Sequence, residues 1–159
     1  MVDVRVGQGF DVHPFVDDPG RPLVLGGVVF ESERALRGHS AADVIAHACT
    51  DALLGAAGLG DIGELFPDTD DAYAGADSIE LLAEATRRVR DAGWTPGNVD
   101  VSIVTDHPKL APRRQEMQER LSGAVGAPVT VKGRRPEGLG ALGRGEGVAA
   151  WAVAVVTRG

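Results

Sequence analysis

The chain has 159 residues, of which 43% are hydrophobic and 25% are charged, and its net charge is −7. This length and composition predict one globular domain with a buried core. A membrane protein is excluded because no run approaches the roughly eighteen apolar residues of a membrane span, and the acidic balance excludes extended contact with nucleic acid.

The chain starts with MVDVRVGQGF, which has the alternating pattern of a strand. It lacks the apolar core of a signal peptide, so we expect a cytoplasmic protein. The single cysteine, Cys49, cannot form an internal disulfide. Because it falls in the helical run AHACTDALLG, we expect it in the core.

Two strands are predicted near the N-terminus, at residues 2–10 and 22–32. Gly26 and Gly27 interrupt the second, where we expect a bulge or a tight bend. A hairpin between the two strands is the expected pairing.

The stretch GFDVHPF follows the first alternating run and contains Asp11 and His13. Side chains two apart in a strand point to the same face, so this acid and this imidazole would stand side by side. Together they could share one metal ion. For such a pair taken alone, a surface hydrogen bond at a strand end is the alternative interpretation.

A helix is predicted over residues 40–58, with Ser40 as its first residue, Asp43 at the capping-box spacing and a glycine at its end. Asp43, His47 and Asp51 are four residues apart and share one helix face. Two flanking carboxylates would orient His47, as a metal-binding imidazole requires. With Asp11 and His13, it completes the two-His, one-carboxylate set of a catalytic zinc whose fourth position stays open.

The loop at residues 59–77 is long and acidic, and loops of that length are usually functional or mobile. Asp61 and Asp68 are its candidate site residues, whereas Asp70 and Asp71 are expected to be solvated.

The remaining predicted elements are a helix at 78–93, a strand at 98–106, a helix at 111–126 and strands at 128–133 and 147–157. The last run is apolar on both faces, which is typical of a central strand. The order ββααβαββ predicts a single α/β (α+β) domain, residues 1–159, with a mixed sheet packed against helices.

A glycine-rich stretch at residues 131–147 combines Glu137 with four basic residues: Lys132, Arg134, Arg135 and Arg144. Glycine backbone amides and arginine side chains both suit phosphate oxygens. A magnesium ion held by one carboxylate and by substrate phosphates would explain the acid. The stretch lacks the pattern of a nucleoside-triphosphate loop.

Six sequence segments that contain these candidate residues follow one another along the chain: GFDVHPF, GHSAADVIAHACTDALLGAAGLGDIGELFPDTD, GADSIELL, NVDVSIV, HPKLAP and EGLGALGRGEG. In this order and spacing, over almost the whole chain, the sequence resembles the 2-C-methyl-D-erythritol 2,4-cyclodiphosphate synthase family of the non-mevalonate isoprenoid pathway. The resemblance implies a homotrimer with active sites between subunits. It also implies Zn²⁺ on Asp11, His13 and His47, and Mg²⁺ or Mn²⁺ on Glu137.

The resemblance further implies which residues bind the substrate, a cytidyl diphosphate of methylerythritol phosphate. Its methylerythritol phosphate end would contact His39, Ser40, Asp61, Gly63 and Asp68. Its cytidine end would contact Thr105, Pro108, Lys109, Leu110, Arg134 and Arg135. The implied catalytic residues are Lys132, His39 and Asp68. An isoprenoid diphosphate would bind on the threefold axis, in a channel lined near Phe10 and closed by Arg144.

Three positions depart from the family pattern. Ser40-Ala41-Ala42-Asp43 replaces the usual Ser-Asp-Gly-Asp, so the loop loses a carboxylate. Arg134-Arg135 replaces a threonine pair beside the expected diphosphate, which exchanges hydroxyl donors for charges. Ala141 replaces an aromatic residue of the channel.

The implied reaction is ring closure of 4-diphosphocytidyl-2-C-methyl-D-erythritol 2-phosphate with release of CMP. Two other functions fit parts of the pattern. An open zinc site beside an anion-binding loop also suits a phosphohydrolase. The arginine pair suits an isoprenoid-diphosphate binding protein without catalysis.

Overall fold

The computed structural model describes all 159 residues, and its centre is a five-stranded mixed sheet. The strands of the chain are β1 (Asp3–Val16), β2 (Leu23–Leu25), β3 (Val28–Phe30), β4 (Ala35–Leu36), β5 (Thr95–Val104), β6 (Val129–Arg134) and β7 (Gly147–Arg158). The sheet order is β4-β1-β7-β5-β6, and only the β5–β6 pair is parallel. The predicted central position of the last strand is therefore confirmed.

Five helices accompany the sheet: α1 (Val44–Ala57), α2 (Ile62–Leu65), α3 (Ser78–Asp91), α4 (Arg114–Val125) and α5 (Gly140–Gly143). Short 3₁₀ turns lie at Asp71–Tyr73 and Ala111–Arg113. The predicted class, a single α+β domain with a mixed sheet, is confirmed. No helix is long and apolar enough to span a bilayer.

The two predicted N-terminal strands do not pair with each other. β1 pairs with β4 and β7, whereas the second predicted strand folds on itself as the β2–β3 hairpin. Gly26 and Gly27 form its turn, with φ values of 59° and 74°. This left-handed backbone at both central positions is the tight turn that matches strand twist.

The first helix begins at Val44, so the predicted start at Ser40 is wrong. Asp43 is the N-cap instead, and its carboxylate accepts the Ile45 and Ala46 amides. The same carboxylate accepts the Gly26 and Gly27 amides. Asp43 therefore joins the start of α1 to the hairpin turn. The end of the helix is as predicted, with Gly58 in the left-handed conformation.

Helix α1 lies directly against β1, and two glycines of the strand make this approach possible. A methyl group at Gly9 would overlap the carbonyl oxygen of Ala48, and one at Gly7 would overlap that of Ala52. Cys49 is fully buried in the same helix, as predicted. Because Asp11 is on the same face of β1 as these glycines, close packing brings the helix side chains to it.

Candidate metal centre and substrate cavities

Three potential metal ligands meet where β1 faces α1. Asp11 Oδ2 lies 3.1 Å from His13 Nε2 and 3.1 Å from His47 Nδ1. All three donor atoms lie within 4.8 Å of one another. Tetrahedral zinc bonds of about 2.0–2.1 Å place their donor atoms about 3.4 Å apart. The predicted grouping of these residues is confirmed, and it fits a divalent metal site.

The outer nitrogen of each histidine is also hydrogen-bonded. His13 Nδ1 lies 2.8 Å from the Arg37 carbonyl oxygen. Because a carbonyl only accepts, Nδ1 carries a proton. Nε2 is therefore the nitrogen that would bind a metal or, when it is protonated, donate to Asp11. His47 Nε2 lies 3.1 Å from Ser40 Oγ and 3.0 Å from Ser78 Oγ. These partners hold both imidazoles as metal-binding histidines are usually held.

The predicted orienting role of Asp43 and Asp51 is not what the structure shows. Neither carboxylate hydrogen-bonds to the His47 ring. Asp43 accepts backbone amides at the start of α1, and Asp51 Oδ1 accepts the Ile62 amide at 2.8 Å. The helical spacing placed them correctly on one face, but the ring turns from that face toward Asp11.

Ser78 is the partner of His47 that the sequence interpretation missed. It is the first residue of α3 and is 1% exposed. It stands 31 positions from His47, so no local periodicity connects the two. The only local signal is its place at a helix start, which is common for serine without any further function.

Burial and pairing oppose each other in the ionisation of the triad. Burial raises the pKa of Asp11, but hydrogen bonds from His13 and His47 outweigh it, so the pKa lies below its usual value. Burial lowers the pKa of His13, but the Asp11 carboxylate outweighs it and the pKa is raised. In the metal-free protein, Asp11 therefore favours the protonated form of His13.

This proton predicts a pH-dependent affinity for zinc. The raised pKa of His13 stabilises the metal-free fold below about pH 6.5, and this contribution is lost as the pH rises through the folded-state pKa. Zinc must displace the proton, so affinity should rise by up to about tenfold per pH unit while His13 is protonated. Thermal unfolding at fixed free zinc should show a larger zinc-induced increase in Tm at pH 8 than at pH 6. Equal increases at both pH values would contradict this coupling.

The triad opens into a cavity of about 470 Å³. Four residues predicted to bind the methylerythritol phosphate end line it: His39, Ser40, Gly63 and Asp68. Apolar walls come from Ile62, Phe66 and Leu81. Asp61 does not line this cavity, because its carboxylate caps α2 by accepting the Glu64 amide.

A second cavity of about 340 Å³ lies at the ends of β5 and β6. It is lined by all six residues predicted to bind the cytidine end: Thr105, Pro108, Lys109, Leu110, Arg134 and Arg135. None of its lining residues is shared with the first cavity. One chain therefore carries the two sets of predicted substrate residues in separate places.

Three further predicted residues lie outside both cavities. Lys132 Nζ lies 2.7 Å from Asp100 Oδ2 on the outward face of the sheet. Glu137 is exposed and has a φ of 55°. Arg144 pairs with Glu146 at 2.6 Å and lines a smaller cavity of about 200 Å³ beside Arg34.

Comparison with known proteins gives consistent results. The model of the YgbB family matches residues 4–157. A 2-C-methyl-D-erythritol 2,4-cyclodiphosphate synthase of Cupriavidus pinatubonensis is 54% identical over 99% of this chain and 94% of its own length.

Among solved structures, the bifunctional IspDF from Campylobacter jejuni matches with a TM-score of 0.93 and 41% identity. The match covers all of this chain and 43% of that longer protein. A 2C-methyl-D-erythritol-2,4-cyclodiphosphate synthase in its CDP-bound form matches with a TM-score of 0.85 and 38% identity, covering 96% of this chain and 99% of that one. The resemblance noted in the sequence is confirmed, and the chain belongs to the YgbB family of these synthases.

Proposed function

We propose that the protein converts 4-diphosphocytidyl-2-C-methyl-D-erythritol 2-phosphate to 2-C-methyl-D-erythritol 2,4-cyclodiphosphate and CMP. It would thus be a phosphorus–oxygen lyase of the non-mevalonate isoprenoid pathway. The observation that carries the proposal is the Asp11–His13–His47 triad at a cavity, in a chain 54% identical to a synthase of that name. A cytoplasmic location stays a prediction.

The reaction is an internal phosphoryl transfer. The 2-phosphate oxygen bonds to the β-phosphorus, and the bond from that phosphorus to the bridging oxygen breaks, so CMP leaves with the electron pair. Attacker and target are both anionic, and no protein nucleophile is needed. The protein must therefore hold the substrate in a ring-closing shape and offset negative charge.

The triad is the proposed site of Zn²⁺, which when bound supplies Lewis-acid charge to a phosphate oxygen. The chain itself fixes the direction in which His13 Nε2 and His47 Nδ1 would present their lone pairs to the ion. The Arg37 carbonyl sets the tautomer of His13, and the hydroxyls of Ser40 and Ser78 hold His47.

The first cavity is the proposed site of the methylerythritol phosphate end. His39 and Ser40 supply a ring nitrogen and a hydroxyl, Gly63 leaves backbone accessible, and Asp68 can accept from substrate hydroxyls. Asp61 contributes by fixing α2, the short helix that carries Gly63.

The second cavity is the proposed site of the cytidine end and its phosphates. Arg134, Arg135 and Lys109 place three positive charges around it. Neither arginine has an acidic partner within 4.0 Å in the chain, so both are available to phosphate oxygens. Forked donors of this kind replace the threonine pair expected from the family and bind phosphate more strongly than hydroxyls do.

The separation of the two cavities supports active sites shared between subunits of a homotrimer. The outward face of β1 and β7 carries six exposed apolar side chains: Val4, Val6, Phe10, Val12, Trp151 and Val153. The Phe10 and Trp151 rings lie 5.1 Å apart within this patch. Contiguous apolar patches of this kind mark interaction sites. The part of this patch around Phe10 is also the proposed site of an isoprenoid diphosphate, which Arg144 would close off.

Replacing Val6 by Glu should convert the trimer to monomers. Val6 is 64% exposed in one chain, so the charge costs little there but would be buried without a partner between subunits. Light scattering after size exclusion measures the mass. The matched control is Val29→Glu, because Val29 is 58% exposed on the separate hairpin. A trimeric Val6→Glu variant would contradict this interface.

Glu137 is the proposed ligand of a second divalent ion, Mg²⁺ or Mn²⁺. Glu137→Gln keeps the side-chain shape but removes a charged contact of about 1.5–3 kcal/mol. We expect the magnesium concentration for half-maximal turnover to rise by about tenfold or more, while zinc content stays unchanged. Glu119→Gln on α4 is the control. Full turnover of Glu137→Gln at limiting magnesium would contradict the assignment.

Lys132 is proposed to add positive charge near the phosphates. Its ion pair with Asp100, which lowers the pKa of that carboxyl group, holds the ammonium at the sheet surface of one subunit. There it would act on a substrate bound by a neighbouring subunit.

Phosphorus NMR of the cytidyl substrate with purified protein, Zn²⁺ and Mg²⁺ tests the proposal. A cyclic diphosphate formed together with an equal amount of CMP is the expected result. Release of inorganic phosphate would instead favour the phosphohydrolase. An unchanged spectrum would favour the binding protein.

A further inference from the structure

Residues 37–42, here called the His39 segment, contact both metal-binding histidines. The Arg37 carbonyl accepts from His13 Nδ1 at 2.8 Å, and Ser40 Oγ lies 3.1 Å from His47 Nε2. His39 and Ser40 also line the first cavity. The position of this one segment therefore affects the metal site and the substrate cavity together.

The backbone of the His39 segment is bonded on two sides. The Arg37 amide donates to the Pro14 carbonyl at 3.0 Å, which attaches the segment to β1. On the other side, the His39 carbonyl accepts from the Gly75 amide at 2.9 Å, and the Ala41 amide donates to the Ala76 carbonyl at 3.2 Å. The carbonyls of Gly38 and Ser40, which flank His39, receive no backbone donor.

Arg21 supplies the missing donor. Its Nη2 lies 3.1 Å from the Gly38 oxygen and 2.5 Å from the Ser40 oxygen, so one nitrogen joins the two carbonyls that flank His39. Arg21 itself is held in the connection between β1 and β2, where its amide donates to the Asp18 carbonyl at 3.1 Å. Hydrogen bonds from a charged donor are the stronger kind.

Two observations show that the contact of Arg21 with the His39 segment is buried and affects the metal site. Arg21 Nε is buried without a hydrogen-bond partner, a costly arrangement that persists only where other contacts of the side chain offset it. Gly38 also packs so closely on the His13 ring that an added methyl carbon would lie 3.0 Å from Cε1. The segment that Arg21 holds therefore sets the position of the ring.

We propose that Arg21 is a positioning residue of the active site, which fixes the His39 segment so that Arg37 and Ser40 orient both metal-binding imidazoles. Its hydrogen bonds go to the segment, and it is not among the residues that line the first cavity. The inference rests on the metal site of the proposed function.

The test compares zinc affinity by chelator competition and hydrogen exchange of residues 37–42 in the full-length protein. Arg21→Met keeps the apolar stem and removes the donor, and Arg21→Lys keeps a charged donor. The matched control is Arg90→Met, because Arg90 Nη2 likewise donates to a backbone carbonyl, that of Val125 at 3.1 Å, far from the site.

We expect Arg21→Met to lower zinc affinity by about tenfold to a hundredfold, the usual effect of losing an outer partner of a metal ligand. Exchange in the His39 segment should quicken by a similar factor. Arg21→Lys should recover part of both effects, and Arg90→Met should show neither.

Wild-type zinc affinity and exchange in Arg21→Met would overturn the inference. So would equal losses in Arg90→Met, because they would show general destabilisation. A wild-type protein that binds no zinc would overturn the proposed function itself, and the inference with it. Both readouts are independent of turnover, so a wild type that binds zinc but lacks cyclase activity leaves the test of Arg21 intact.

Discussion

Asp11→Asn should lose zinc and turnover together. Asp11 Oδ2 lies 3.1 Å from the facing nitrogen of each histidine, so it is the donor common to both pairs. Asparagine keeps its size but has no charge to bind the ion. Zinc sites bind with about 10–16 kcal/mol in total, or about 3–4 kcal/mol per ligand, so affinity should fall by about 200- to 1000-fold.

The measurement is zinc content after dialysis against a weak chelator, followed by turnover of the cytidyl substrate. Asp17→Asn is the matched control, since Asp17 is exposed directly after β1. It should keep wild-type zinc and activity. Stoichiometric zinc in dialysed Asp11→Asn would show that the triad does not hold the ion.

The loss of zinc in Asp11→Asn should be distinguishable from unfolding of the variant. In the metal-free protein Asp11 is also what raises the pKa of His13. Without the carboxylate that proton is no longer favoured, so the metal-free variant should lose the acid-side stability described for the wild type. Because this contribution is lost as the pH rises, circular dichroism at alkaline pH should show the same fold in both metal-free proteins.

The sequence predicted those parts of the site that depend on one element. Asp11 and His13 follow from the two-residue period of β1, and the placement of His47 on α1 follows from helical spacing. The same local logic failed for the start of α1. Ser40 and Asp43 have the spacing of a capping box, but the two backbone amides of the hairpin turn favour Asp43 as the cap.

Local sequence patterns could not predict hydrogen-bond partners that come from distant elements. The contact of Ser78 with His47 depends on how α3 packs against α1, and the hold of Arg21 on the His39 segment crosses 17 and 19 positions. These side chains come within hydrogen-bonding distance of their partners only when the core has formed. Family resemblance supplied the two groups of predicted substrate residues. The structure brings four of the five residues of the first group to one cavity, all but Asp61, and all six of the second group to another.

Gly9→Ala should destabilise the fold and the metal site at once. The added methyl group would overlap the Ala48 carbonyl oxygen, a backbone atom that cannot rotate away. Overpacking costs about 1–3 kcal/mol, and a backbone obstacle favours the upper value. At this chain length that lowers Tm by about 6–12 °C.

His47 precedes Ala48 directly, so a helix pushed from β1 also carries the imidazole away from Asp11, and zinc affinity should fall in the folded variant. Gly123→Ala is the matched control, because a methyl group on that residue of α4 meets nothing within 4 Å. It should stabilise the protein by about 0.5–1 kcal/mol, since alanine favours the helix more than glycine does. If Gly9→Ala instead kept the wild-type Tm and zinc affinity, close packing of α1 on β1 would not be what assembles the metal ligands.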